Sequence, residues 1–212
     1  MNRLLATGAA LAAAWLAVAP LTAQQDVALK DLMPRGMAIG VAINQRQSDG
    51  VDATAVDIIA KQFNQISPEN LLKFQLVHPA ADRYEFTAQD RYVQFGLDRK
   101  MQVVGHNLVW HRQTPAWVFR GANGQPADRE TLLARMRDHI HTLVGRYKGK
   151  IYGWDVVNEA IDEDGSLRKA PWRDGIGDDY VAKAFESPTR PTRTPSCTTT
   201  ITTSKSRPSE RA

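Results

Sequence analysis

The chain has 212 residues, 42% of them hydrophobic and 24% charged, which is enough for one sizeable domain with its own core and unlike a chain too polar to fold. Its formal net charge of +4 does not describe a nucleic-acid-binding domain. Residues 187–212 carry Arg190, Arg193, Lys205, Arg207 and Arg211 against Glu210 alone, so residues 1–186 balance to zero.

Residues 1–23, "MNRLLATGAALAAAWLAVAPLTA", place Arg3 before an Ala- and Leu-rich stretch and end on Leu21-Thr22-Ala23, the pattern of a cleaved secretory signal peptide. Pro20 breaks the apolar run and no basic cluster follows, which argues against a retained membrane anchor. The expectation is export to the periplasm or the medium, with no membrane association after cleavage. Cys197 is the sole cysteine and can close no internal disulfide.

"MAIGVAIN" (37–44) reads as a short buried strand, and "TAVDIIAKQFN" (54–64) as a helix with Val56, Ile59, Ala60 and Phe63 on one face. "QISPENLLKF" (65–74) extends again, with Pro68 restraining the residue before it. A helix over 88–100 leads to a strand over 101–111. Residues 131–149 form the clearest helix, with Leu132, Met136, Ile140 and Leu143 together and Gly149 as its stop. Ile151, Tyr152, Trp154, Val156 and Val157 make a near-continuous apolar strand, and residues 175–186 begin another helix. Strand and helix alternate at the spacing of βα units, so the fold class is α/β with a parallel sheet, four units long, within residues 24–186.

At Ser187 the composition changes. "SPTRPTRTPSCTTTITTSKSRPSERA" is rich in Ser, Thr, Pro and Arg, buries too little to fold alone and is expected to be a disordered tail.

Chemistry gathers at three strand ends. Glu69, Asn70 and Lys73 follow the second strand; His106, Asn107, Trp110 and His111 close the third; Asn158 and Glu159 close the fourth. Amides, carboxylates and an ammonium hydrogen-bond hydroxyls, and an indole packs on sugar rings, so the set suits a polyhydroxylated ligand. Alone, Glu159 could favour a helix N-terminus, His106 could be a core histidine bonded to a backbone carbonyl, and Trp110 could be plain core. The histidines lack zinc-ligand spacing, and there is no G-x-S-x-G elbow, P-loop or dinucleotide fingerprint, so no metal or cofactor is called for.

The stretches "FNQISPENLLKF", "HPAADRYEFTAQD", "GHNLVWHRQTPAW", "GRYKGKIYGWDVVNEA" and "LRKAPWRDGIGDDYVAKAF" resemble, in order, the catalytic domain of glycoside hydrolase family 10, the retaining endo-β-1,4-xylanases, over about residues 30–186. Leu72 and Phe74 stand where that family usually has Met and Trp. The resemblance implies a (β/α)8 TIM barrel, present here as about its first four βα units, and β-1,4-xylan as the polysaccharide partner. It implies Glu159 as general acid/base, with Glu69, Asn70, Lys73, His106, Trp110 and Asn158 lining the substrate subsites. It also implies a nucleophilic glutamate on a later strand, so that this chain, lacking it, would be inactive.

The family continues after "DYVAKAF" with a strand reading close to Y-N-D-Y-N, where this chain has "CTTTITT". Threonine codons are ACN and isoleucine codons begin AT. Read one base early, each triplet from Thr198 to Thr203 becomes NAC or NAT, which encode Tyr, His, Asn or Asp alone. The tail therefore reads as an out-of-frame translation beginning near Glu186. Two other readings stay open from the residues: another retaining β-1,4-glycanase, such as a cellulase or mannanase, and a non-catalytic sugar-binding or pseudogene fragment.

Overall fold

Asn44 and Gln47 exchange side-chain and backbone hydrogen bonds in a capping box that starts a short helix directly after the first strand. This is the first of several local devices that turn strand into helix. The computed structural model describes residues 26–187 and, as backbone, residues 196–200. The signal peptide expected at 1–23 lies outside the described residues.

In chain order the elements are β1 (Gly40–Ile43), α1 (Gln45–Ser48), α2 (Ala53–Gln62), β2 (Gln65–Pro68), α3 (Phe74–Val77), α4 (Thr87–Asp98), β3 (Gln102–Val109), α5 (Arg129–Arg146), β4 (Gly153–Asn158), α6 (Pro171–Ile176), α7 (Tyr180–Glu186) and β5 (Ser196–Thr200). The strands pair in parallel in the order β1-β2-β3-β4-β5, each joined to the next by helical crossovers. Asp52 caps α2 through the N–H of Ala55, and Asp128 caps α5 through the N–H of Thr131 at 2.8 Å.

The core lies between the sheet and the helices. Ile43, Ile66, Val103, Leu108, Val156 and Val157 of the strands meet Val93, Leu132, Met136, Ile140 and Leu143 of the helices. Two glycines permit close approaches at the sheet. A Cβ on Gly96 would stand 2.4 Å from Val103, so glycine lets α4 lie on the sheet; one on Gly105 would stand 2.1 Å from the Trp154 ring, which covers that position from the neighbouring strand.

Four sequence expectations need correction. The helix expected over 175–186 is two pieces: α6 stops at Gly177, whose φ of +114° is open to glycine, and α7 restarts at Tyr180. The long helix ends at Arg146, and Gly149, with φ +76°, shapes the turn that follows. Tyr152 is 51% exposed rather than part of a buried strand, because β4 begins one residue later.

The last correction concerns the tail. Residues 196–200, expected to be disordered, pair with β4 as β5, Trp154 opposite Cys197 and Asp155 opposite Thr198. The edge of β4 presents unpaired N–H and C=O groups, and a run of β-branched threonines supplies the ladder whatever its side chains. The edge of β4 is therefore covered, not bare. Residues 188–195 and 201–212 lie outside the described residues. No helix among the described residues is long and apolar enough to cross a membrane.

Candidate active site

β2, β3 and β4 are neighbours, so the residues that follow them converge at one end of the sheet. Glu159, directly after β4, has a left-handed backbone with φ +52°, a conformation that costs a side-chain-bearing residue on the order of 1–3 kcal/mol. Its Oε2 accepts the indole N–H of Trp110 at 3.0 Å and lies 3.7 Å from His111 Nε2. Burial lowers the pKa of His111, and the nearby Arg168 charge lowers it further against the opposing pull of Glu159, so the imidazole is neutral near pH 7. Its Nδ1 is buried with no partner among the described residues.

Trp110 is fixed from behind. Its carbonyl oxygen accepts Trp172 Nε1–H at 3.0 Å and the Thr114 hydroxyl at 2.9 Å. Lys73 Nζ lies 4.5 Å from the centroid of the Trp110 ring and donates to Asn70 Oδ1 at 2.9 Å; Gln113 Nε2 donates to the same oxygen at 3.2 Å. One indole face is thus occupied by the ammonium, and the ring acts on its surroundings chiefly through its N–H. Burial lowers the Lys73 pKa, opposed by the charges of Glu159 and Glu69.

Among the described residues, the His106 ring is bonded to no backbone carbonyl. Its Nδ1 lies 2.8 Å from Asp155 Oδ2, on the strand alongside. Asn158, the last residue of β4, is buried, and its Oδ1 has no partner among the described residues, an acceptor left for a donor from elsewhere. Glu69 and Asn70 are exposed, and Glu69 enters the cluster through its charge on Lys73.

The structure thus connects Asn70, Lys73, Trp110 and Glu159 by direct contacts. It places His106 and Asn158 on the adjoining strands and leaves Glu69 at longer range. Sequence reasoning missed Asp155, Gln113 and Arg168, and named His111 without choosing it. Asp155 carried a usable signal: it is the one charge inside an apolar strand, and a buried charge requires a partner. Gln113 and Arg168 carried none, since both act from loops. Among the described residues no cluster of His, Cys, Asp and Glu could hold a metal ion.

Carboxyl, amide, imidazole and indole groups at the C-terminal ends of neighbouring parallel strands stand where (β/α) barrels keep their chemistry. The sequence model of glycosyl hydrolase family 10 matches residues 28–194. The chain belongs to glycosyl hydrolase family 10. The match runs past Ser187, so the family region extends beyond the break in composition.

This family 10 chain is 45% identical to endo-1,4-beta-xylanase A of Caldicellulosiruptor saccharolyticus, over 70% of the chain and 43% of the relative. It is 46% identical to endo-1,4-beta-xylanase B of Paenibacillus barcinonensis, over 69% of the chain and 44% of the relative. A family 10 endoxylanase from a sugarcane soil metagenome superposes with a TM-score of 0.73 at 43% identity, covering 76% of this chain and 48% of that one. The chain therefore spans less than half the length of these curated relatives.

Proposed function

We propose that this chain carries the acid/base side of a retaining endo-β-1,4-xylanase site, with Glu159 as the general acid/base. The observation that supports it most is the carboxyl of Glu159 held by the Trp110 indole N–H beside a neutral His111. Glu159 donates its proton to the leaving glycosidic oxygen while a second carboxylate attacks the anomeric carbon; Glu159 then takes a proton from the water that releases the sugar. Asn158, whose buried oxygen has no partner among the described residues, accepts from a substrate hydroxyl, and Lys73, Asn70, His106 and Glu69 line the subsites beside it. The retaining reaction needs its two carboxyl groups about 5–5.5 Å apart. We assign the nucleophile to a later strand outside the described residues, and residues 1–23 to export.

Binding and cleavage test this separately. Calorimetry with xylo-, cello- and manno-oligosaccharides on the 212-residue chain should show a preference for xylo-oligosaccharides, retained by Glu159→Gln. Supplied with the remaining half of a family 10 barrel, the chain should cleave xylan, and Glu159→Gln should slow cleavage by about 10²–10⁴-fold. Equal rates for the two proteins would overturn the role of Glu159.

A further inference from the structure

We propose that Arg168 is the positioning residue for Glu159, clamping the backbone on either side of Ala160 so that the carboxyl is held against Trp110. This rests on Glu159 being the acid/base. The ladder of β4 ends at Asn158, and the left-handed turn at Glu159 carries its carbonyl out of the sheet. A carbonyl there needs a donor from outside the ladder. Arg168 supplies it: Nε donates to the Glu159 oxygen at 2.9 Å, and Nη2 reaches the Ile161 oxygen at a longer 3.4 Å.

The guanidinium is itself held in place. Nη1 pairs with Asp162 at 2.7 Å, and the Arg168 N–H donates to Ala160 O at 2.8 Å. Ile161 bridges Leu167, and Gly165, with φ +84°, turns the loop between them, so residues 160–168 form a hairpin that returns Arg168 to the base of Glu159. A planar fork can serve two carbonyls and a carboxylate at once, whereas a lysine offers one point of attachment.

Arg168 also acts at a distance from the clamp. Its charge is the main electrostatic influence, after burial, that keeps His111 neutral. A cationic His111, 3.7 Å from Glu159 Oε2, would compete with Trp110 for that oxygen.

The test uses the 212-residue chain and two nuclear magnetic resonance readouts: exchange of the Trp110 indole N–H with solvent, and the titration of His111. Arg168→Met should speed indole exchange at least about tenfold and move the His111 midpoint upward. Arg168→Lys should leave His111 near its original midpoint while indole exchange stays fast. Unchanged exchange in Arg168→Met, or full protection in Arg168→Lys, overturns the clamp. Should Arg168→Met not fold, Asp162→Asn keeps the arginine but frees it; faster indole exchange supports the proposal, and unchanged exchange refutes it. Neither readout involves sugar. A wild-type chain that binds no xylo-oligosaccharide would therefore defeat the xylanase reading while leaving the placement of Glu159 by Arg168 measurable.

Discussion

The indole N–H of Trp110 meets Glu159 Oε2 at 3.0 Å, joining residues 49 positions apart in the chain. Lys73 covers the face of the same ring and Trp172 holds its backbone, so the donor cannot swing away without disturbing both. Trp110→Phe keeps the ring and removes only the donor. A hydrogen bond to a charged group is worth about 1.5–3 kcal/mol, so in a completed barrel the substitution should lower the rate of xylan cleavage by about 10–100-fold. Initial rates on xylan check this, with circular dichroism to confirm an unchanged fold.

Lys73 should cost stability while serving binding. Burial depresses its pKa below the ordinary 10.5, so the unfolded chain holds that proton more tightly than the folded one. The buried cation is therefore a liability at pH 7, and stability should rise as pH climbs from the depressed folded value through 10.5. Lys73→Met should be more stable at pH 7, should lose that alkaline rise and should bind xylo-oligosaccharides more weakly. Urea unfolding across pH 7 to 11 with parallel calorimetry measures both.

A stack beneath the site sets the acid limit. Tyr84 lies on His78 at 3.7 Å and Phe74 on His139 at 3.6 Å between ring centroids. His139 is fully buried with both ring nitrogens unpartnered among the described residues, and burial together with the His78 charge holds its pKa well below 6.5. His78 is also lowered by burial, partly offset by the Ala81 carbonyl and then by Asp138. Both histidines thus bind protons more readily in the unfolded chain, and stability should fall as pH drops below 6.5. Each contributes up to about 1.4 kcal/mol per pH unit. His139→Phe should remove one such slope, read from denaturant midpoints between pH 7 and pH 5.

The coding DNA should explain the tail. A single-base insertion or deletion near codon 186 is expected, after which the corrected frame reads on through a Y-N-D-Y-N-like strand. Nucleotide sequence several hundred bases past that codon checks it. A frame without such a change would make "SCTTT" a strand that evolved as it stands, for it pairs with β4 in either case.

The sequence by itself determined the βα alternation, the apolar faces of α2 and α5, and the placement of Glu159 and Asn158 at the end of β4. Those follow from periodicity and from local caps such as Asp52 and Asp128, which act within a few residues. That Glu159, Trp110 and Lys73 gather at one end of the sheet was also legible, because residues that follow adjacent parallel strands share that end. Tertiary structure alone decided what each group touches: that Trp110 donates rather than only packs, that His106 answers Asp155, and that Arg168 reaches back to Glu159. It also decided that residues 196–200 join the sheet. Hydrogen-bond partners and strand edges are set by distances between segments remote in the chain, and neither composition nor period encodes those distances.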